Sequence, residues 1–281
     1  MTGSPRDRAR TTRGWTLSIA IGAALLTTAA VAAGALKQSS ETFTVEADTT
    51  AEGVAACEGN KRVVSGGFSA PEWAEGGPIV QPVDSMRDSK HAWRSRQHNF
   101  GTPDEATTYA YCGGGVGKLK AKSKSATVGP DEVDTVKAKC KRGREVVAGG
   151  FDAPDPEGPA DYVEVLSSKR GGKRAWKTKV FNGFNDARNV STAVYCVKRQ
   201  ADLKSKSRSI ELNEGVNGSI AVACKRGQKL ISGGFAAEFS DVEEVTAFVF
   251  ASMRAGKREW TVSAFPDNGN PKLRAIAYCQ A

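Results

Sequence analysis

The chain has 281 residues, of which 40% are hydrophobic and 25% are charged, and its formal net charge is +9. This balance excludes a disordered chain and is typical of one large or several small globular domains. The six cysteines include no Cys-x-x-Cys pair, which favours three disulfides in an oxidising compartment over a tight zinc or redox motif.

The first 35 residues predict export. Four arginines precede Gly14, and the 23 residues from Gly14 to Leu36 carry no charge. The stretch ends in Ala33-Gly34-Ala35, which has the small-x-small form of a cleavage site, so we expect the mature chain to begin at Leu36. An uncleaved membrane anchor is the alternative, because 23 uncharged residues can span a bilayer. In either case the remainder of the chain is expected outside the cytoplasm, secreted or at the outer face of the membrane.

The remainder consists of three similar modules, predicted at residues 36–118 (module 1), 119–202 (module 2) and 203–281 (module 3). The first cysteines of the modules are 83 and 84 residues apart, and the second cysteines are 84 and 83 apart. Each module also carries Gly-Gly-Phe, Ser-x-Arg, a tryptophan and Tyr-Cys at nearly constant spacing. This many coincident spacings indicate a triplicated unit. One cysteine pair per module predicts the disulfides Cys57–Cys112, Cys140–Cys196 and Cys224–Cys279.

An all-β fold is predicted for each module. Short segments rich in Val, Thr and Tyr alternate with Gly, Pro, Asn and Asp, and no apolar period of 3.6 residues occurs after the export segment. We therefore expect three tandem, small, disulfide-closed β-sandwich-like modules. The sequence leaves open whether they pack together or form separate beads. If module 2 has its own core, it should fold alone.

One hairpin is predicted in every module from the recurring pattern Ser-x-Arg-x-x-Lys-x-x-Trp. A two-residue turn between Arg and Lys would pair these two residues across the hairpin. The tryptophan would then face inward, and the Ser, Arg and Lys would share the opposite face.

Module 2 is the basic module, with 18 basic and 10 acidic residues between Gly117 and Gln200. On the predicted hairpin, Arg170, Lys173, Lys177 and Lys179 form a candidate anion-binding face. The expected partner is an acidic cell-wall polymer or glycan, and an ordinary solvated surface is the alternative. Nucleic acid is not expected, because no stacking aromatics accompany these charges.

No catalytic residue, metal site or cofactor is predicted. The two histidines, His91 and His98, occur only in module 1, and solvated or packed histidines explain them better than a metal site. Gly-Gly-Phe recurs at a fixed place and is interpreted as structural. The repeated tryptophan is interpreted as a core residue, with a sugar-stacking platform as the alternative.

The pattern Cys-x8-Gly-Gly-Phe, Ser-x-Arg, Trp and Ala-Tyr-Cys resembles a repeated domain of secreted actinobacterial proteins. The resemblance covers Leu36 to Ala281 and implies export and a bacterial origin, but no catalytic residues. We therefore expect a non-enzymatic extracellular or cell-envelope binding or structural protein. The alternative is an exported enzyme or enzyme inhibitor that uses the divergent loops of one module. These loops span Pro71 to Pro82, Pro154 to Tyr162 and Ala236 to Glu244.

Overall fold

The computed structural model describes residues 36–281, except 74–78, 114–116, 159–160, 199–201, 239–246 and 268. The predicted export segment and its cleavage site, residues 1–35, lie outside the described residues. In the described part of the chain every regular element is a β-strand, which confirms the predicted all-β fold.

Within the described residues, each module contains six strands. Module 1 holds β1 (Lys37–Val45), β2 (Thr49–Ala56), β3 (Arg62–Ser69), β4 (Val80–Arg87), β5 (Ala92–Asn99) and β6 (Asp104–Gly113). Module 2 holds β7 (Lys120–Val128), β8 (Val133–Lys139), β9 (Arg144–Asp152), β10 (Val163–Arg170), β11 (Ala175–Asn182) and β12 (Arg188–Lys198). Module 3 holds β13 (Lys204–Glu211), β14 (Gly218–Ala223), β15 (Lys229–Glu238), β16 (Ala247–Arg254), β17 (Glu259–Pro266) and β18 (Lys272–Gln280).

The strands form three six-stranded antiparallel sheets, and every sheet is shared by two modules. The 1–2 sheet has the order β2-β5-β4-β9-β12-β7, the 2–3 sheet β13-β18-β15-β10-β11-β8, and the 1–3 sheet β1-β6-β3-β16-β17-β14. Each module thus gives three strands to each of two sheets and bonds to both other modules. The three modules belong to one compact unit and are not separate beads.

Within a module the two three-stranded halves pack face to face, and one disulfide lies in each module. The bonds are Cys57–Cys112, Cys140–Cys196 and Cys224–Cys279, as predicted, with Cα–Cα distances of 5.6, 5.8 and 5.6 Å. No cysteine is free. Three intramolecular disulfides are consistent with an oxidising, extracellular environment.

Gly-Gly-Phe lies where the three modules meet, and each of its residues has a separate packing role. The first glycine leaves room for the indole of its own module's tryptophan, which lies where a Cβ would be. The second glycine lets a backbone strand of the neighbouring module cross directly over it; at Gly234 a Cβ would lie 2.6 Å from the Ser168 carbonyl oxygen. The phenylalanines, Phe68, Phe151 and Phe235, contact one another edge to face, with ring centroids 6.1, 6.2 and 6.2 Å apart.

The tyrosine before each second cysteine joins its module to a neighbour. In the 2–3 sheet, the backbone N–H of Arg170 donates to the Tyr278 hydroxyl over 2.7 Å, and Trp176 packs edge-on against the Tyr278 ring. The guanidinium of Arg170 lies 5.4 Å from the centre of the same ring. Equivalent N–H to hydroxyl bonds reach Tyr195 and Tyr111 at the other two junctions.

The predicted hairpin exists, but its predicted register was wrong. Arg170 pairs with Trp176 rather than with Lys173, and the same pairing recurs in the other modules. The turn is longer than two residues, since the Gly171 N–H donates to the Ala175 carbonyl. Ser168 consequently shares the inner face with the tryptophan and accepts a bond from its indole N–H over 2.8 Å.

Candidate functional site

The residues that all three modules share are used to assemble the fold. The tryptophans Trp93, Trp176 and Trp260 are each 2% exposed, as are Phe68, Phe151 and Phe235. Buried rings cannot serve as a sugar-stacking platform, so the core interpretation of the tryptophans is confirmed. A ligand site must therefore be sought elsewhere, first among residues that differ between modules.

The strongest such feature is a row of lysines on the outer face of the 2–3 sheet. Lys169 of β10 stands directly opposite Lys177 of β11, which stands directly opposite Lys137 of β8. Lys179 and Lys139 lie two residues further along their strands and project to the same side. We call these five residues the lysine face: Lys137, Lys139, Lys169, Lys177 and Lys179.

Within the part of the chain that the structure describes, little acid compensates the lysine face. Lys137 and Lys139 are exposed, and the other three lysines are half-buried. Among the described residues only Glu238 pairs with the face, 3.6 Å from the Lys169 ammonium, and it is shared with Arg274 at 2.8 Å. Like charges directly opposite each other in a sheet destabilise it, so this arrangement costs stability unless an anion covers it.

The matching positions of the other two modules carry no net positive field. In module 3 they are all uncharged: Ala221, Ala223, Met253, Thr261 and Ser263. In module 1 the two positions that match Lys177 and Lys179 are Arg94 and Arg96, but acids surround them. The same place in the fold is therefore basic in module 2, neutral in module 3 and internally neutralised in module 1.

The neutralised cluster in module 1 is centred on Asp84, which is fully buried. Its carboxylate lies 3.0 Å from Arg94 and 3.2 Å from Arg96. Arg96 also contacts Asp152 and Asp155 of module 2, at 2.9 and 2.7 Å. Burial raises the pKa of Asp84 to about 6, against the lowering effect of the two arginines. In the 2–3 sheet, Ser167 and Ala236 replace Asp84 and Asp152, which leaves Lys177 and Lys179 without these partners.

The four residues predicted to bind anions do not form one group. Lys177 and Lys179 lie together on the lysine face, as strand alternation predicted. Arg170 does not, because the corrected register places it opposite Trp176, over the Tyr278 ring. Lys173 lies exposed in the hairpin turn and lines a groove together with Arg170. Anion binding by these residues remains a prediction.

Other candidate chemistry is sparse in the described part of the chain. No group of three or more His, Cys, Asp or Glu side chains there could hold a metal ion. The His98 ring bonds to the Thr50 hydroxyl over 3.0 Å and packs on Phe100, as expected of a packed histidine. Among the same residues, no helix has the length and apolar character needed to cross a membrane.

Comparison with known proteins adds no further assignment. Neither a protein-family model nor a curated protein matches the chain.

Sequence reasoning missed a buried acid, Glu164, at the start of β10. Its Oε1 accepts a bond from the Ala247 N–H over 3.2 Å, while its buried Oε2 has no hydrogen-bond partner. Burial raises the pKa of Glu164 to about 8, with a smaller contribution from Asp267. Nothing in the local sequence marks this residue, since its burial depends on strands from module 3.

Glu164 should make stability depend on pH. A carboxyl group with a raised pKa in the folded state stabilises fully below its unfolded pKa of about 4.3, and this contribution is lost as pH rises through about 8. Between about pH 5 and 7, the free energy of unfolding should therefore fall by up to about 1.4 kcal/mol per pH unit from this group. Glu164→Gln should remove that slope in urea titrations. Parallel pH profiles for both proteins would contradict the assignment.

Proposed function

We propose that the chain is a non-enzymatic extracellular or cell-envelope binding protein that holds an acidic polymer, such as a wall polymer or glycan, on the lysine face. The observation that carries this proposal is the row of Lys169, Lys177 and Lys137, which stand opposite one another across three strands. Among the described residues only Glu238 pairs with this row, at Lys169. Export and cleavage before Leu36 belong to the same proposal, and the disulfides and the resemblance to secreted domains support it.

The form of the lysine face favours a repeating anion over a single small ligand. Lysine ammonium groups are hydrated point charges on flexible stems, which attract anions without imposing one geometry. Three strands about 4.8 Å apart spread these charges over a surface, so they suit charges spaced along a polymer. The surface lies on a six-stranded sheet that modules 2 and 3 share.

A charge-matched pair of variants tests the proposal. Lys177→Gln with Lys179→Gln should weaken binding to a polymeric uronic acid at least about tenfold at low salt, since each close pair of unit charges contributes about 1 kcal/mol in water. Lys120→Gln with Lys122→Gln removes the same charge from the exposed edge strand β7 of the same module. This control should bind nearly as the parent does.

Salt provides a second criterion. At 0.15 M the screening length is about 8 Å, so binding by exposed lysines should weaken steadily as salt rises. Equal losses in the two double variants, or binding indifferent to salt, would remove the lysine face as the site. Equal binding of a nucleic acid of the same charge density would show that the face selects charge alone.

A further inference from the structure

A groove of about 350 Å³ lies beside the lysine face, where modules 2 and 3 meet. Its walls carry three cations, two serine hydroxyl groups and the Tyr278 side chain, and no acidic side chain among the described residues lines it. The residues used below are Arg170, Lys173, Ser205, Ser207, Arg274 and Ile276. This volume is at the lower end of the range of about 300–1,000 Å³ typical of small-molecule sites.

The two arginines of the groove are held in place by the fold. Arg170 donates from Nη1 to the Leu203 carbonyl over 3.0 Å. Arg274 donates from Nε to the Ser209 hydroxyl over 3.2 Å and from Nη2 to Glu238 over 2.8 Å. These bonds use Nε and Nη2, so the Nη1 group of Arg274 remains available to donate to a ligand. Fixed guanidinium groups bind planar carboxylates better than mobile lysines do.

The hydroxyl groups extend the groove along the edge strand β13. Ser205 and Ser207 are both exposed and lie two residues apart on one side of the strand, opposite Tyr278 and Ile276 of β18. Hydroxyl groups in such a row can donate to and accept from the hydroxyls of a sugar ring.

We propose that this groove binds one anionic sugar unit of the polymer that the lysine face attracts. The inference rests on the proposed function, because Glu238 bridges Lys169 and Arg274 and so joins the lysine face to the groove. The lysine face contributes general attraction, while the groove selects a unit that carries both hydroxyl groups and a negative charge.

The other two module junctions do not offer the same chemistry. The place of Arg274 is taken by Thr107 in module 1 and by Ser191 in module 2. The serine at the position of Ser207 is present in all three modules, as Ser40, Ser123 and Ser207. The chain therefore contains matched positions at which the same substitution can be made with and without the cationic groove.

The test uses the full disulfide-bonded chain and three short probes: a uronic-acid trimer, a neutral galactose trimer and a glycerol-phosphate trimer. Ser207→Phe should block the groove without changing the charge, and should weaken binding of the uronic-acid trimer about tenfold or more, as expected when charge-assisted hydrogen bonds are lost. Ser123→Phe, the matched control, should leave it unchanged. Isothermal titration calorimetry measures both.

Each result bears on one part of the inference. If Ser207→Phe bound the uronic-acid trimer as tightly as the parent does, the groove would not be the binding site for the sugar unit. The proposed function would still stand in that case if Lys177→Gln with Lys179→Gln weakened binding of the long polymer. Equal binding of the galactose trimer would overturn the need for charge. Binding of the glycerol-phosphate trimer alone would overturn the sugar assignment.

Discussion

Module 2 expressed alone, as residues 119–202 with the Cys140–Cys196 disulfide formed, is expected to remain unstructured. Its two half-sheets both continue into other modules, at Ser85↔Phe151 and Ser168↔Phe235. In isolation it would expose these strand edges and the ring of Phe151. A disulfide that joins residues 56 apart contributes only about 4 kcal/mol in the chain-entropy model, and an 80-residue unit buries little apolar surface.

The measurement is a comparison of isolated module 2 with residues 36–281 by far-ultraviolet circular dichroism and by dispersion of backbone amide signals in NMR. The longer chain should give a strand spectrum and dispersed amides, and the isolated module should give neither. A dispersed spectrum from module 2 alone would mean that each module has a sufficient core of its own.

Phe151→Ala is expected to lower the free energy of unfolding by about 3–5 kcal/mol, as for other buried phenylalanines. Phe151 is 2% exposed, and it loses edge-to-face contacts with both Phe68 and Phe235 when it is truncated. Because all three rings contact one another, the double variant Phe151→Ala with Phe235→Ala should cost less than the sum of the single variants. Chemical denaturation of the three proteins measures these differences.

Val216→Ala is the control for this series, because Val216 is 56% exposed and its truncation removes far less buried surface. Its unfolding free energy should stay within about 0.5 kcal/mol of the parent. A loss for Phe151→Ala as small as that of the control would mean that the three phenylalanines do not hold the modules together.

The features predictable from the sequence are those that recur at a fixed spacing. The three disulfides followed from one cysteine pair per module, and the all-β fold followed from segment composition. The inward position of the tryptophans was also predicted correctly, although the turn beside them is longer than the two residues assumed. The register depends on which N–H reaches which carbonyl, as between Gly171 and Ala175, and residue type alone does not determine this.

The sharing of sheets between modules could not be predicted, because it depends on contacts between residues more than sixty positions apart. Only part of the candidate site was found, because the rest depends on which strands pair and in what register. Alternation along one strand placed Lys177 and Lys179 together, whereas Lys137 and Lys169 join them only through cross-strand pairing. Two of the three acids that contact Arg96, Asp152 and Asp155, likewise come from another module.

The structure separates two sets of residues. The aromatic and glycine residues common to all modules build the three shared sheets. The charged residues that differ between modules give each sheet a different outer face. Lysine footprinting with an amine-reactive reagent, read by mass spectrometry with and without a polymeric uronic acid, tests this division most directly. The polymer should protect Lys137, Lys139, Lys169, Lys177 and Lys179, while Lys120, Lys122 and Lys124 on the edge strand β7 stay reactive. Equal protection of both sets, or protection of the edge strand alone, would contradict the proposed binding face.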